Sequence, residues 1–231
     1  MRLLAIETAA EACSAALLLD DDIRVRFEVE PRRQSELILP MMDSLLAEGG
    51  VTLGQLDALA FGRGPGSFTG VRIAVGVIQG AAFGAGLPVV PVSTLAALAQ
   101  RAFREHGRRS LLAAFDARMG ELYWGGFRVD GQGLVVPCFE EQVAGPAQVT
   151  LPPAGAWFGV GSGWETYRDT LAGRLAGSLR GVDPGLLASA HDVALLAAAG
   201  WRAGEAVPPE QAMPVYLRDK VASRPAPPRI P

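Results

Sequence analysis

Residues 62–84 read GRGPGSFTGVRIAVGVIQGAAFG, a glycine-rich loop that runs into a long apolar stretch. The preceding DALAF (57–61) reads as a short buried strand, Pro65-Gly66 as a tight turn, and the apolar stretch as a helix from about Ser67. A Walker loop requires Lys and then Ser or Thr directly after its last Gly, whereas Gly66 is followed by Ser67 and Phe68. The dinucleotide fingerprint also fails, because the run from Gly62 to Ser67 has no Gly at its sixth position. A helix start can receive an anion on its free N–H groups, and it can equally be a plain turn and cap. Gly76, Gly80 and Gly84 fall four apart, on one helical face. Each costs about 0.5–1 kcal/mol relative to Ala, so a stripe of three implies close approach of another backbone. That partner is either the chain's own sheet or a helix of another subunit. Arg72, Gln79 and the glycine content argue against a membrane-spanning helix.

Working outward, RLLAIET (2–8), CSAALLL (13–19) and IRVRFEV (23–29) read as three strands separated by acidic turns, with Asp20-Asp21-Asp22 at a solvated tip. In 35–50 the apolar positions recur at helical spacing, with Ser35 as a cap and Gly49-Gly50 as the stop. LPVVPVS (87–93) is a strand and 93–106 a helix capped by Ser93. Residues 111–118 and 121–129 form a strand hairpin that opens a second unit. Gly161-Ser162-Gly163 is a turn, 164–177 and 189–204 are helices, and Ser189 with Asp192 makes a start resembling a capping box. The tail RPAPPRIP is expected to be extended. Strands followed by alternating helices and strands predict an α/β fold with a mixed sheet.

Composition removes several function classes. Twenty-one basic and 24 acidic residues give a net charge of −3, so no overall positive field would hold nucleic acid or an anionic membrane. Arg101, Arg104, Arg108 and Arg109 come nearest to a basic patch, and a solvated helix face accounts for them equally well. Cys13 and Cys138 are too few for a disulfide framework or a zinc site. His106 and His191 are the only imidazoles, and neither stands in a metal-binding pair. No G-x-S-x-G elbow is present. Glu7 and Glu11 interrupt the apolar N-terminus, which therefore reads as a strand in a cytoplasmic protein and not as an export signal.

Several segments together carry a resemblance: LLAIETAAEACSAALL (3–18), QSELILPMMDSLL (34–46), VSTLAALA (92–99), DARMGELYWG (116–125), PVYLRDKVA (214–222) and above all residues 62–84. Over nearly its whole length the chain resembles the TsaB (YeaZ) family, the non-catalytic partners in bacterial synthesis of threonylcarbamoyladenosine on tRNA. The resemblance implies an actin-like, sugar-kinase ATPase fold with two ribonuclease-H-like lobes. They would comprise 1–100, joined by the returning helix 189–204, and 101–231 with the Pro-rich tail. In that fold ATP phosphates rest on a loop after the first strand. Here it reads Ile6-Glu7-Thr8-Ala9-Ala10, with Glu for Asp and no Gly. Nucleotide binding by the chain alone is expected to be weak or absent, with no cofactor and no metal. Thr8, Gly161, Ser162 and Gly163 are the candidate nucleotide contacts.

The catalytic relative carries paired metal-binding histidines that this chain lacks, and Gln34 stands where many members have His. The resemblance implies a scaffold or activator that dimerises with the catalytic, TsaD-like paralogue, with a further ATPase component in the complex. It also implies a homodimer when alone, contact with tRNA only through the complex, and no membrane. The two helices following residue 34 and the Gly-Pro-Gly turn would pair with their counterparts in a partner. Leu37, Met41 and Leu45 on the first, with Arg72, Ile73, Gly76, Val77, Gly80, Phe83 and Gly84 on the second, would form that interface. Two other functions compete: an autonomous ATP-dependent kinase or ATPase of the same fold, with Asp116 as its base, and a peptidase-like protein.

Overall fold

The computed structural model describes residues 1–175 and 177–218, so the Pro-rich tail lies outside the described residues. The chain begins with the antiparallel strands β1 (Arg2–Glu7), β2 (Cys13–Leu19) and β3 (Asp22–Glu28). Helix α1 (Gln34–Gly49) and then α2 (Phe68–Ala85) lead into the parallel strands β4 (Ala58–Gly62) and β5 (Val89–Val92), one on each side of α2. The resulting sheet has the order β3-β2-β1-β4-β5. After α3 (Thr94–His106) the pattern repeats. An antiparallel hairpin, β6 (Ser110–Arg118) and β7 (Glu121–Val129), is edged by β8 (Val135–Pro137) and β9 (Gln142–Ala144). Parallel strands β10 (Trp157–Val160) and β11 (Leu179–Asp183) flank the short helices α4 (Gly163–Thr166) and α5 (Arg168–Leu175). The second sheet runs β11-β10-β6-β7-β8, with β9 also paired to β7. Hairpin first, parallel crossovers second, in both halves: this is the duplicated ribonuclease-H-like lobe of the actin-like fold.

Two helices are exchanged between the halves. Helix α3, which follows the first sheet, packs on β6, β7 and β10 of the second. Helix α6 (Ala190–Arg202), which follows the second sheet, returns to β1, β2, β4 and β5 of the first. The sequence accounts for the fit, since both helices are dense with Ala. Ala97, Ala99, Ala102, Ala194 and Ala197 are completely buried, in one core with Leu3, Ala5, Leu111 and Phe127 of the two sheets. Outer cores lie on the far faces: α1 and α2 on the first sheet, and α4 and α5 with Trp124, Trp157 and Trp164 on the second.

Three local expectations change. Ser35 is not the cap of α1, because the helix starts a residue earlier, with Arg33 at its N-cap and no side-chain cap bond. The helix expected over 164–177 is broken at Tyr167 into α4 and α5, and β11, hidden in weakly patterned sequence, completes the second sheet. Ser189 does cap α6, accepting from the His191 N–H, but Asp192 closes no capping box. Its carboxylate, fully buried, instead accepts two hydrogen bonds from Arg104 of α3, at 3.0 and 2.9 Å. This fork-to-fork pair ties the two exchanged helices together. Arg104→Ala would leave a buried carboxylate without its cation, so it should cost about 3 kcal/mol in urea unfolding. Arg104→Lys should recover part of that loss, and a loss below about 1 kcal/mol for the Ala variant would mean the pair is not structural.

Candidate functional site: a closely packed first loop and an open helical face

The loop after β1 is built into the packing of its own lobe. The Ala9 N–H donates to the Glu7 carboxylate at 2.6 Å, and the Ala9 carbonyl accepts from the Ser67 N–H at 2.6 Å. Thr8 is buried, and its hydroxyl donates to the Gly70 carbonyl at 2.7 Å. Gln34 donates to the Ala10 carbonyl at 3.3 Å, so the residue that replaces His has a definite task. The start of α2 is pressed against this loop. A Cβ at Gly66 would overlap the Ala9 carbonyl, and one at Gly70 would overlap that of Thr8. Two glycines of the opening motif are therefore explained by backbone crossing backbone, and the helix start is a cap, with Ser67 Oγ accepting from the Gly70 N–H at 3.4 Å.

Glu7 sits at the centre of this arrangement. It is wholly buried with no cationic partner among the described residues, and it accepts from the Thr94 hydroxyl at 3.2 Å. Burial pushes its carboxyl up to about 7, against the pull of hydrogen bonds from Ala9, Thr94 and Thr8. Gly62 packs directly against Glu7, since a Cβ there would overlap the Glu7 carboxylate and force it to move.

The other candidate nucleotide contacts serve the second lobe. Gly161 (φ 94°) and Gly163 abut Ala114 of β6, and Ser162 Oγ accepts from the Asp116 N–H at 3.2 Å. Asp116, the candidate base, is held by Arg118 at 3.3 Å and by the Tyr167 hydroxyl at 3.3 Å. Among the described residues no group of three His, Cys, Asp or Glu is placed to hold a metal ion. The arginines expected on a solvated face are engaged by the chain itself. Arg101 bonds Glu105 and the Leu187 carbonyl, Arg104 bonds Asp192, Arg108 lies over Phe158, and Arg109 bonds the Val129 and Asp130 carbonyls.

What remains open is the outer face of α1 and α2. Gly76, Gly80 and Gly84 are exposed, and no described atom lies within 4 Å of a Cβ built at any of them, so the stripe does not face the chain's own sheet. Arg72 and Phe83 are exposed beside it, while Leu37, Ile73 and Val77 are half-buried at its margins. Met41 and Leu45 do not belong to this face. They lie in the outer core with Ile38 and Met42, at 5% and 0% exposure. The apolar spacing that reveals a helix marks its buried side, and here the exposed large apolar residue of α1 is Leu39, 52% exposed. Sequence reading also missed Phe68, whose ring centroid lies 3.6 Å from the Arg72 guanidinium, and Tyr216, whose hydroxyl accepts from Arg72 Nε at 3.0 Å; Tyr216 comes from a segment about 130 residues after α2, with no local signal to announce it. Helix α2 is long and apolar enough, by length and composition, to cross a membrane; its 18 residues have a mean hydropathy of 1.3.

Two ribonuclease-H-like lobes with an exchanged pair of helices define a protein of the actin-like fold, and comparison with known proteins agrees. A family model described as TsaD, tRNA N6-adenosine threonylcarbamoyltransferase, matches residues 28–223. The tRNA threonylcarbamoyladenosine biosynthesis protein TsaB of Escherichia coli is 44% identical over 225 residues, covering 96% of each chain. Its namesake in Haemophilus influenzae is 45% identical over 187 residues, 77% of this chain and 79% of the relative. The solved structure of YeaZ from Pseudomonas aeruginosa superposes with a TM-score of 0.88 at 47% identity, covering 94% of this chain and 99% of that one. The chain belongs to the TsaB (YeaZ) family.

Two measurements check this geometry. Gly70→Ala should destabilise by about 2–4 kcal/mol, since its Cβ meets backbone, whereas Gly80→Ala should stabilise the isolated chain by about 0.5–1 kcal/mol. The opposite order of melting temperatures would contradict the described packing. For Glu7, the folded-state pKa is raised above its ordinary value of 4.5. Its contribution is thus fully present below about pH 4.5 and is lost as pH rises through about 7. Glu7→Gln should therefore gain stability over the natural chain between about pH 5 and pH 8, by up to about 3 kcal/mol. A difference that does not change with pH would show that Glu7 stays ionised throughout.

Proposed function

We propose that this chain is the non-catalytic subunit of the assembly that forms threonylcarbamoyladenosine on tRNA, acting in the cytoplasm as a scaffold for a catalytic, TsaD-like paralogue. The reading is carried by the glycine stripe of α2, three side-chain-free positions on an exposed helix that the chain's own sheet does not use. An isolated helix gains nothing from such a stripe and is weakened by it, whereas a helix of a second subunit gains close backbone approach. Exposed Phe83 and Phe68 on the same helix, with Arg72 lying over the Phe68 ring and bonded to Tyr216, supply aromatic and arginine groups, the residue types that anchor protein interfaces, and Leu39 is the exposed large apolar residue of α1. In the absence of the paralogue, the same face pairs with a second copy of this chain.

The lobe cleft supports a structural role and not a kinase-like one. The loop after β1 is hydrogen-bonded to Ser67 and Gly70 at the start of α2, and Asp116 is bonded to Arg118 and Tyr167. The four arginines of the 101–109 segment are engaged internally, so tRNA is met through the assembled complex. A further ATPase component, joining the pair, supplies nucleotide chemistry that this chain does not.

Gly80→Leu separates interface from fold. Its side chain enters a closely packed helix–helix contact, so association with the paralogue should weaken by roughly 5- to 150-fold in size-exclusion or calorimetric titration. The melting temperature of the variant alone should be unchanged or slightly higher. Undiminished complex formation by this variant would refute the proposed face.

A further inference from the structure

Residues 212–218 carry no regular secondary structure, yet they are fixed at both ends and bridge the two lobes. Ala212 is fully buried, and its carbonyl accepts from Gln79 of α2 at 3.2 Å. The Val215 N–H donates to the carbonyl of Arg63, just after β4, at 2.9 Å. From there the side chains alternate. Val215 and Leu217 line the cleft between the lobes, whereas Tyr216 reaches Arg72 on α2 and Arg218 reaches the β6–β7 turn of the second lobe. Arg218 Nε and Nη2 both donate to one Glu121 oxygen, at 3.0 and 2.6 Å. Nη2 also meets the Ala117 and Arg118 carbonyls, at 3.1 and 3.3 Å. The turn it grips is strained, with Arg118 and Met119 in left-handed conformations (φ 63° and 57°) ahead of Gly120.

We propose that residues 212–218 form a strap between the lobes, through which Arg218, a positioning residue, sets the corner of the docking face made by Phe68, Arg72 and Tyr216. The inference rests on the docking face proposed above and adds the second lobe to what shapes it. Beyond Met213 the main chain of the strap makes one hydrogen bond among the described residues, from Val215, and Pro214 has no N–H to give. The course of the strap past Val215 is therefore set by its side chains. Tyr216 and Arg218 are two residues apart, so releasing Arg218 frees Tyr216 to leave Arg72. An exposed arginine without a partner explores many rotamers, and ordering it on docking costs entropy. With Tyr216 in place Arg72 is already ordered, its guanidinium 3.6 Å from the Phe68 ring centroid and its Nε bonded to the Tyr216 hydroxyl at 3.0 Å. A guanidinium suits position 218, because it presents several donors in one plane to a carboxylate and two carbonyls at once.

Arg218→Met, which keeps the apolar stem, tests this in two measurements on the full chain. In the chain alone, the Val215 amide should exchange with solvent about tenfold faster, and the Arg72 Nε–H resonance should shift although Arg72 is unchanged. In calorimetric titration with the catalytic paralogue, association should weaken about three- to tenfold, and Arg218→Lys should recover part of the loss. Tyr216→Ala should weaken association by a similar factor. Adding Arg218→Met to it should weaken association no further, because Arg218 then has nothing left to position. Glu121→Gln, which keeps an acceptor and removes the charge, should move the Val215 and Arg72 signals the same way by less, a check independent of how well Arg218→Met folds. Unmoved Val215 and Arg72 signals in both variants would overturn the strap, and additive losses in the double variant would overturn the positioning role. If the natural chain does not bind the paralogue, the docking reading fails and the positioning role with it, while the two signals from the chain alone still decide the strap.

Discussion

Where the Thr8–Ala9 backbone meets Gly66–Gly70, two chain segments touch with no side chains between them, and most of the functional architecture follows from that contact. Hydrogen bonds from Ser67 N–H and Thr8 Oγ1 hold it together. It fixes where α2 begins and therefore which stripe of α2 faces outward. The same crossing packs the loop after β1 against the start of α2. The buried Glu7 beneath it carries a cost of its own, tolerated because Thr94 and the Ala9 amide solvate it from within.

The exchange of α3 and α6 is the second organising feature. Each helix covers the other half's sheet, and small residues on both let the two sheets share one core. Alanine contributes little area per residue, so stability here comes from close approach and number of contacts and not from large side chains. The Arg104–Asp192 pair supplies the directional element that dispersion lacks, setting the register of one helix on the other. On the outer face of the second sheet the opposite strategy holds, with three fully buried tryptophans filling the space.

Local features of the fold were legible in the sequence where one principle dominated. The strand at 23–29 and the glycine stop at 50 agree with the observed elements, Gly50 taking a left-handed conformation. The Ser67 and Ser93 caps are present. The open face of α2 was legible in part: glycines four apart on an otherwise favourable helix can be recognised from spacing alone. Met41 and Leu45 were misread because an apolar repeat reports burial without saying what does the burying. Tyr216 beside Arg72, Asp192 beside Arg104, and Gln34 on the Ala10 carbonyl are long-range pairings. Nothing in a linear pattern encodes which of several polar residues will meet, because that choice is made by the topology.

The helix exchange also bears on how the chain is born. The inner face of the first sheet, with Leu3, Ala5 and Val90, is covered by α6, whose residues emerge from the ribosome about 100 positions after β5. At about 5–20 residues per second, that face stays uncovered for roughly 5–20 s of synthesis. The outer face, sealed by α1 and α2 as soon as they are made, has no such delay. Nascent chains of this protein therefore pass through a stage with one finished face and one bare apolar face, a surface that invites chaperone capture or pairing with a neighbouring nascent chain.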